Sequence, residues 1–238
     1  MATATAAGPD LPAPPRKRGH FITLEGPEGV GKSTQSEILC RRLEKAGEVV
    51  VQTHEPGGTV IGRELRAMLL MPERPAPTPE VQALLMSADR AQHVAEVIRP
   101  ALAAGMVVVS DRYADSTFAY QGFGDGLDLA ALQRITDFAT GGLYPELTIL
   151  IDLDPRIGLE RRRAAYRVGD GELNRIDRRD LSYHQRVREG YLALAQREPQ
   201  RFLVIDGTRT VEEIAAIIWE RVAALLGLEP AALSVAPD

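Results

Sequence analysis

Residues 26–34 read Gly26-Pro27-Glu28-Gly29-Val30-Gly31-Lys32-Ser33-Thr34, a run of three glycines followed by a lysine and two hydroxyls. The spacing matches G-x-x-x-x-G-K-[ST]. It sits between an apolar run (20–25) and a stretch of helical spacing (32–46), the context that gives the motif its meaning. Gly26, Gly29 and Gly31 let the backbone wrap closely, so that its N–H groups can point at phosphate oxygens. The helix that starts near Lys32 adds the positive end of its dipole. Lys32 is placed to reach β- and γ-phosphates, and Ser33 to ligate Mg²⁺. The competing reading is a tight strand-to-helix turn whose glycines serve packing alone. A nucleotide cradle by itself defines no activity, because switches, motors and kinases share it.

Four further segments are poorly explained as scaffold. THEPGGT (53–59) follows the second strand-like run, and SADRAQH (87–93) puts charge inside a long helix. DRYADSTFAYQG (111–122) follows the third run, and GLERRRAAYR (158–167) clusters arginines after the fourth. With the cradle, EPGGT and STFAYQG in this order, the chain resembles the thymidylate kinase family over nearly all of its folded part. The resemblance implies a P-loop nucleoside monophosphate kinase fold and transfer of a phosphoryl group from ATP to dTMP, with Mg²⁺. It also implies a homodimer.

The resemblance assigns roles to particular residues. Asp111, at a strand end beside the cradle, would hold Mg²⁺ through water. Arg112 would grip the acceptor phosphate, and Arg66 would share that task unless it is a solvated helix residue. Arg90 would donate to the thymine O4, and Thr117 would meet the N3 edge of the base. The ring of Tyr120 would fill the space that a ribose 2′-hydroxyl needs, with Gln121 nearby. Glu28 would hold the acceptor's 3′-hydroxyl. Glu55 is open between a turn or cap and a functional role, while Pro56, Gly57 and Gly58 set a sharp turn that shapes the acceptor pocket.

Phosphoryl transfer depends on alignment and charge neutralisation more than on covalent chemistry. Some family members carry the assisting arginine in the cradle, at the position of Gly29 here. The arginine must then come from the lid, about 160–177, where Arg161, Arg163 and Arg167 are the candidates and Arg162 belongs to the same cluster. RVGDGELNRID (167–177) has the composition of a mobile flap that excludes water. Two departures from the family pattern stand out. Met86 occupies the place of the aromatic ring that stacks on thymine, which predicts weaker stacking. Asn174 stands where an acid is expected.

These residues need a frame to position them. Apolar runs at 20–25, 49–53, 106–111, 147–154 and 202–206 read as strands buried on both faces. Helical spacing covers 32–46, 62–70, 80–104 with Pro100 as a bend or break, 128–140, 155–167, 179–197 and 210–227. The expected fold class is α/β, a five-stranded parallel sheet covered by helices on both faces. Ligands in such sheets gather at the carboxyl ends of the strands.

The chain has 238 residues, a net charge of -5 and 45% hydrophobic residues. That balance predicts a large core and no nucleic-acid coat. The single cysteine, Cys40, forbids an internal disulfide, fits the cytoplasm and reads as a core residue. No apolar run reaches the ~18 residues that span a membrane. Residues 1–19, rich in alanine and proline, read as a disordered extension without a secretory signal, and 229–238 as a loose tail. A single domain over 20–228 remains between them. Within it, competing functions are another nucleotide or nucleoside kinase and a regulatory nucleotide switch. The latter lacks an N-K-x-D phrase and leaves the paired arginines idle.

Overall fold

In a computed structural model that describes residues 18–169 and 173–229, the five apolar runs form one parallel sheet in the order β2-β3-β1-β4-β5. The strands are β1 (His20–Glu25), β2 (Val50–His54), β3 (Val107–Asp111), β4 (Leu147–Asp152) and β5 (Phe202–Asp206). Alternate residues of β1 enter two separate cores, as a period of two requires. Phe21 joins Val108, Leu150, Tyr113, Phe118, Tyr183 and Tyr191 on one face. Ile22 and Leu24 join Leu39, Leu43, Val109, Ile149 and Trp219 on the other. Cys40 lies in this second core, where burial pushes its thiol up to about 11.

The second core is covered by α1 (Lys32–Lys45) and α9 (Val211–Leu226). The first is covered by α3 (Pro79–His93), α4 (Arg99–Ala103), α5 (Ala114–Thr117), α6 (Leu129–Thr140) and α8 (Leu181–Arg197). The remaining helices are α2 (Val60–Leu70) and α7 (Pro155–Arg167). Pro100 does not break the long helix. The chain passes from α3 through a π-helical stretch at Val94–Ile98 into α4, with Pro100 in its first turn. The wider turns absorb the missing N–H of the proline.

One element has no counterpart among the expected helices. Residues 114–124 are helical, as α5 followed by a π-helical stretch at Phe118–Gly124. Ser, Thr, Phe, Tyr and two glycines there give poor helix propensity. Burial against α8 decides the conformation instead, with Phe118, Ala119 and Tyr120 in the core. All but the last two residues of the expected extension and all but the first residue of the expected tail lie outside the described residues, as do 170–172 of the lid. Among the described residues no helix is long and apolar enough to cross a membrane.

Candidate functional site

The cradle joins the end of β1 to the start of α1 at the centre of the sheet. Gly29 explains its own identity. It has φ 70°, and a Cβ there would lie 2.0 Å from the carbonyl oxygen of Gly158 in α7. No side chain fits, so an assisting arginine cannot stand at this position. Helix α1 starts with Gly31 and has no side-chain cap, which leaves its first N–H groups free for an anion. Lys32 Nζ donates to the carbonyls of Gly26 (3.0 Å) and Pro27 (2.8 Å). Burial, with Arg112 nearby, brings Lys32 down to about 8. Ser33 Oγ donates to Asp111 Oδ2 at 2.7 Å. Asp111 reaches that place because β3 pairs with β1, Leu24 facing Asp111.

Arg112 follows directly and is the one described non-glycine residue at positive φ (72°). Such a backbone costs about 1–3 kcal/mol and persists where the surroundings enforce it. Its N–H donates to Leu24 O at 2.9 Å. Its guanidinium donates to Gly26 O, Ser116 Oγ, Tyr191 Oη and Glu28 Oε1 and lies over the Tyr120 ring. Glu28 also accepts from Tyr120 Oη at 2.6 Å, and His184 Nδ1 lies 3.3 Å from its other oxygen. Burial alone would raise the Glu28 carboxyl. The neighbouring His184, Arg112, Lys32 and Tyr120 outweigh it and hold the group at about 2. Glu28 is therefore ionised throughout the neutral range.

Two cavities open at this end of the sheet. One, about 490 Å³, is lined by the cradle with Lys32, Ser33, Asp111, Arg161 and Arg162. The other is lined by Leu69, Gln82, Met86, Ser116, Tyr120 and Gln121. They share Glu28, Glu55, Arg66, Arg112 and Asn174 as a common wall. Arg66 is also held by Pro56 O at 2.8 Å. Arg66 stays solvent-exposed as it lines both cavities, and partial desolvation there lowers its pKa, as does the charge of Arg112. Two cations pressed together in this way are relieved by a dianion placed between them.

Other expected residues fall elsewhere. Arg90 and Thr117 are buried and line neither cavity. Arg90 directs its fork to Glu55 Oε2, Thr117 Oγ1 and Tyr113 O. Glu55 is thus neither a cap nor a surface acid. It is a buried anchor, holding Arg90 with one oxygen and His93 with the other, and unlike those two it also lines both cavities. Asp89 accepts the Gly57 N–H at 2.9 Å. The charges of SADRAQH, unexplained as scaffold in the sequence, fasten the EPGGT turn to α3.

In the lid, Arg163 and Arg167 are exposed and line neither cavity. Their one-turn spacing sets both on one face of α7, about 100–160° round from the sides of 161 and 162. Arg161 and Arg162 are the lid arginines at the cavity lined by the cradle, and Arg162 pairs with Asp177 at 3.2 Å. Asn174 serves as a cap: its Oδ1 accepts the N–H of Ile176 and of Asp177. Arg175 ties this segment to the end of α2 through Leu69 O and Met71 O. Glu25, Ser116, His184 and Tyr191 are site neighbours to which the sequence alone assigned no role. Ser116 stood inside a quoted motif, and Glu25 is a lone acid ending an apolar strand. Nothing local marks Tyr191 or His184, which come from distant α8.

Comparison with known proteins agrees with this geometry. A family model described as Thymidylate kinase matches residues 24–218. The chain belongs to the thymidylate kinase family. A thymidylate kinase of Solidesulfovibrio magneticus is 52% identical over 209 residues, which is 87% of this chain and 100% of the relative. One of Deinococcus radiodurans is 53% identical over 205 residues, 86% of this chain and 97% of the relative. The crystal structure of thymidylate kinase from Ehrlichia chaffeensis superposes with a TM-score of 0.69 at 29% identity, covering 86% of this chain and 99% of that one. As in other thymidylate kinases, the fold is that of a P-loop nucleoside monophosphate kinase.

Proposed function

We infer that the chain phosphorylates dTMP to dTDP, with ATP as donor and Mg²⁺ as cofactor. The observation that carries this reading is the pair of cavities meeting at Glu28, Arg66 and Arg112. One suits a triphosphate, and the shared wall suits a second phosphate. A phosphate oxygen of dTMP attacks Pγ of ATP, and the bond from Pγ to the β,γ-bridging oxygen breaks. The acceptor phosphate has its second pKa near 6, so at neutral pH the attacking oxygen carries no proton and no general base is required. The protein's task is alignment and charge.

In this reading the cradle N–H groups and Lys32 bind the β- and γ-phosphates. Arg112 and Arg66 hold the acceptor phosphate, and Arg161 or Arg162 meets the charge of the transferring group. Glu28 takes the 3′-hydroxyl, Tyr120 fills the 2′ side, and Met86 with Gln121 lines the base pocket. Ser33 and Asp111 supply two oxygen donors, which suits a hard cation that keeps most of its ligands as water and phosphate oxygen. No cluster of three or more acidic, histidine or cysteine ligands exists among the described residues, which fits that mode of binding. When bound, Mg²⁺ neutralises phosphate charge.

A coupled ADP-release assay at saturating ATP, with dTMP, dUMP, dCMP, dGMP and thymidine as acceptors, tests the reading. The expected result is the highest kcat/KM with dTMP. ADP release that no monophosphate stimulates overturns it. Two finer predictions accompany it. ATP phosphates placed beside Lys32 raise its pKa above the free value of about 8. ATP binding at pH 8 should therefore take up about half a proton, read by calorimetry in buffers of different ionisation heat. Met86→Phe should lower the KM for dTMP several-fold by restoring a stacking ring, and an unchanged or higher KM contradicts that role.

The reading includes a cytoplasmic homodimer packed through the long helices. It is supported by α3 and α6, which pack together and expose Val81, Leu84 and Phe138. Sedimentation of the purified chain distinguishes dimer from monomer.

A further inference from the structure

Glu25 ends β1 and is fully buried, yet it touches neither cavity. Its Oε1 accepts the Tyr113 N–H at 2.8 Å. Its Oε2 accepts from Ser116 Oγ at 2.7 Å and from Tyr191 Oη at 2.8 Å. The same two hydroxyls receive Arg112 Nη1 at 3.2 and 3.0 Å.

Proton counting makes this arrangement directional. Each hydroxyl has one proton to give. An ionised Glu25 has none, so it takes one from each hydroxyl. Ser116 and Tyr191 then present only lone pairs to Arg112. Ser116 and Tyr191 also lie 2.8 Å apart, and if one donates to the other instead, it still offers Arg112 a lone pair while a single hydroxyl proton reaches Glu25 Oε2. The carboxylate thereby fixes two acceptors for the guanidinium. The backbone adds a second constraint, since Arg112 N–H is bonded to Leu24 O and its φ is 72°.

We propose that Glu25 is a positioning residue that aims Arg112 at the acceptor phosphate through Ser116 and Tyr191. This rests on the reading of Arg112 as the acceptor grip. Burial and the nearby Asp115 outweigh the pull of Arg112, Ser116 and Tyr191 and leave the Glu25 carboxyl at about 7, so the proton order above belongs to its ionised form, which gains weight as pH rises. A buried acid under that opposition is an expensive way to pack a strand end. Its hydrogen-bonded neighbours account for its retention.

The test is steady-state kinetics of the full chain with dTMP and ATP varied separately. Glu25→Gln puts a neutral amide in the same volume and scrambles the proton order. It should raise the KM for dTMP about tenfold or more and leave the KM for ATP within about twofold, as expected for one misaligned charge-assisted contact. Tyr191→Phe should raise the dTMP KM several-fold. In a background of Tyr191→Phe with Ser116→Ala, Glu25→Gln should add less than about threefold, because the hydroxyls that carry its effect are gone. A full tenfold effect in that background overturns the proposal. So does an ATP KM that moves as much as the dTMP KM. If Glu25→Gln does not fold, Tyr191→Phe alone decides, and an unchanged dTMP KM refutes the chain of contacts. Arg112→Ala separates the two levels: no acceptor effect there removes the underlying reading. An acceptor effect with none from Glu25→Gln removes only this proposal.

Discussion

Lys32→Ala should lower kcat at least about a hundredfold, the scale on which deletion of one preorganised charged donor acts. Nothing else in the phosphate cavity replaces it. Arg161 and Arg162 come from α7, Arg66 is held by Pro56 O, and Arg112 is already engaged with Gly26, Glu28 and two hydroxyls. Lys32→Arg should not rescue. A compact ammonium fits between the carbonyls of Gly26 and Pro27, whereas a planar fork does not share that geometry. The fold should survive the change. Lys32 is buried and its pKa is depressed, so its charge opposes folding rather than supporting it. The sign follows from linkage: a lysine whose folded pKa lies below its unfolded value destabilises the native state as pH falls through the two values. The melting temperature of Lys32→Ala at pH 7 should therefore not drop, while ADP release with dTMP collapses. Near-normal kcat removes Lys32 from the mechanism.

The contrast between what was and was not legible in the sequence has a physical origin. The three inner strands β1, β3 and β4 could be read because they are buried on both faces as short unbroken apolar runs. Strands β2 and β5 lie at the sheet edges and are only partly buried, against the expectation, and were legible from their place between helical stretches. The cradle could be read because its geometry demands glycine at set positions, Gly26 (φ 139°, a Cβ there 2.4 Å from Ile151 O) and Gly31 (φ 88°). Residues 114–124 could not, because tertiary burial overrides their local preference. The same limit applies to function. A motif marks residues whose neighbours are close in sequence, as with Lys32 and Ser33. The partners that aim Arg112 come from three places, Glu25 on β1, Ser116 on α5 and Tyr191 on α8. The arginines of α7 show the reverse case. Composition marked the cluster, but only the helix direction selects positions 161 and 162 over 163 and 167. Likewise the acids and bases of SADRAQH look like site chemistry until Glu55, Arg90 and His93 are seen to close on one another.

Arg112→Ala should raise the KM for dTMP by about 10- to 100-fold, the scale of a lost hydrogen bond to a charged partner. The KM for ATP should change far less, because the cradle binds the donor through its own N–H groups and Lys32. The backbone allows a sharper version of the experiment. At φ 72° any residue with a Cβ is strained by about 1–2 kcal/mol. Alanine keeps that strain and loses the side chain, while glycine loses both. Arg112→Gly and Arg112→Ala should then show the same acceptor defect, yet the glycine variant should melt at the higher temperature of the two. Arg112→Lys should recover only part of the acceptor affinity, since a point charge cannot span Glu28 and a phosphate as a fork does. A selective rise in the ATP KM would instead move Arg112 to the donor side. Equal dTMP KM values for wild type and Arg112→Ala would leave Arg66 as the only cation on the shared wall able to hold the acceptor.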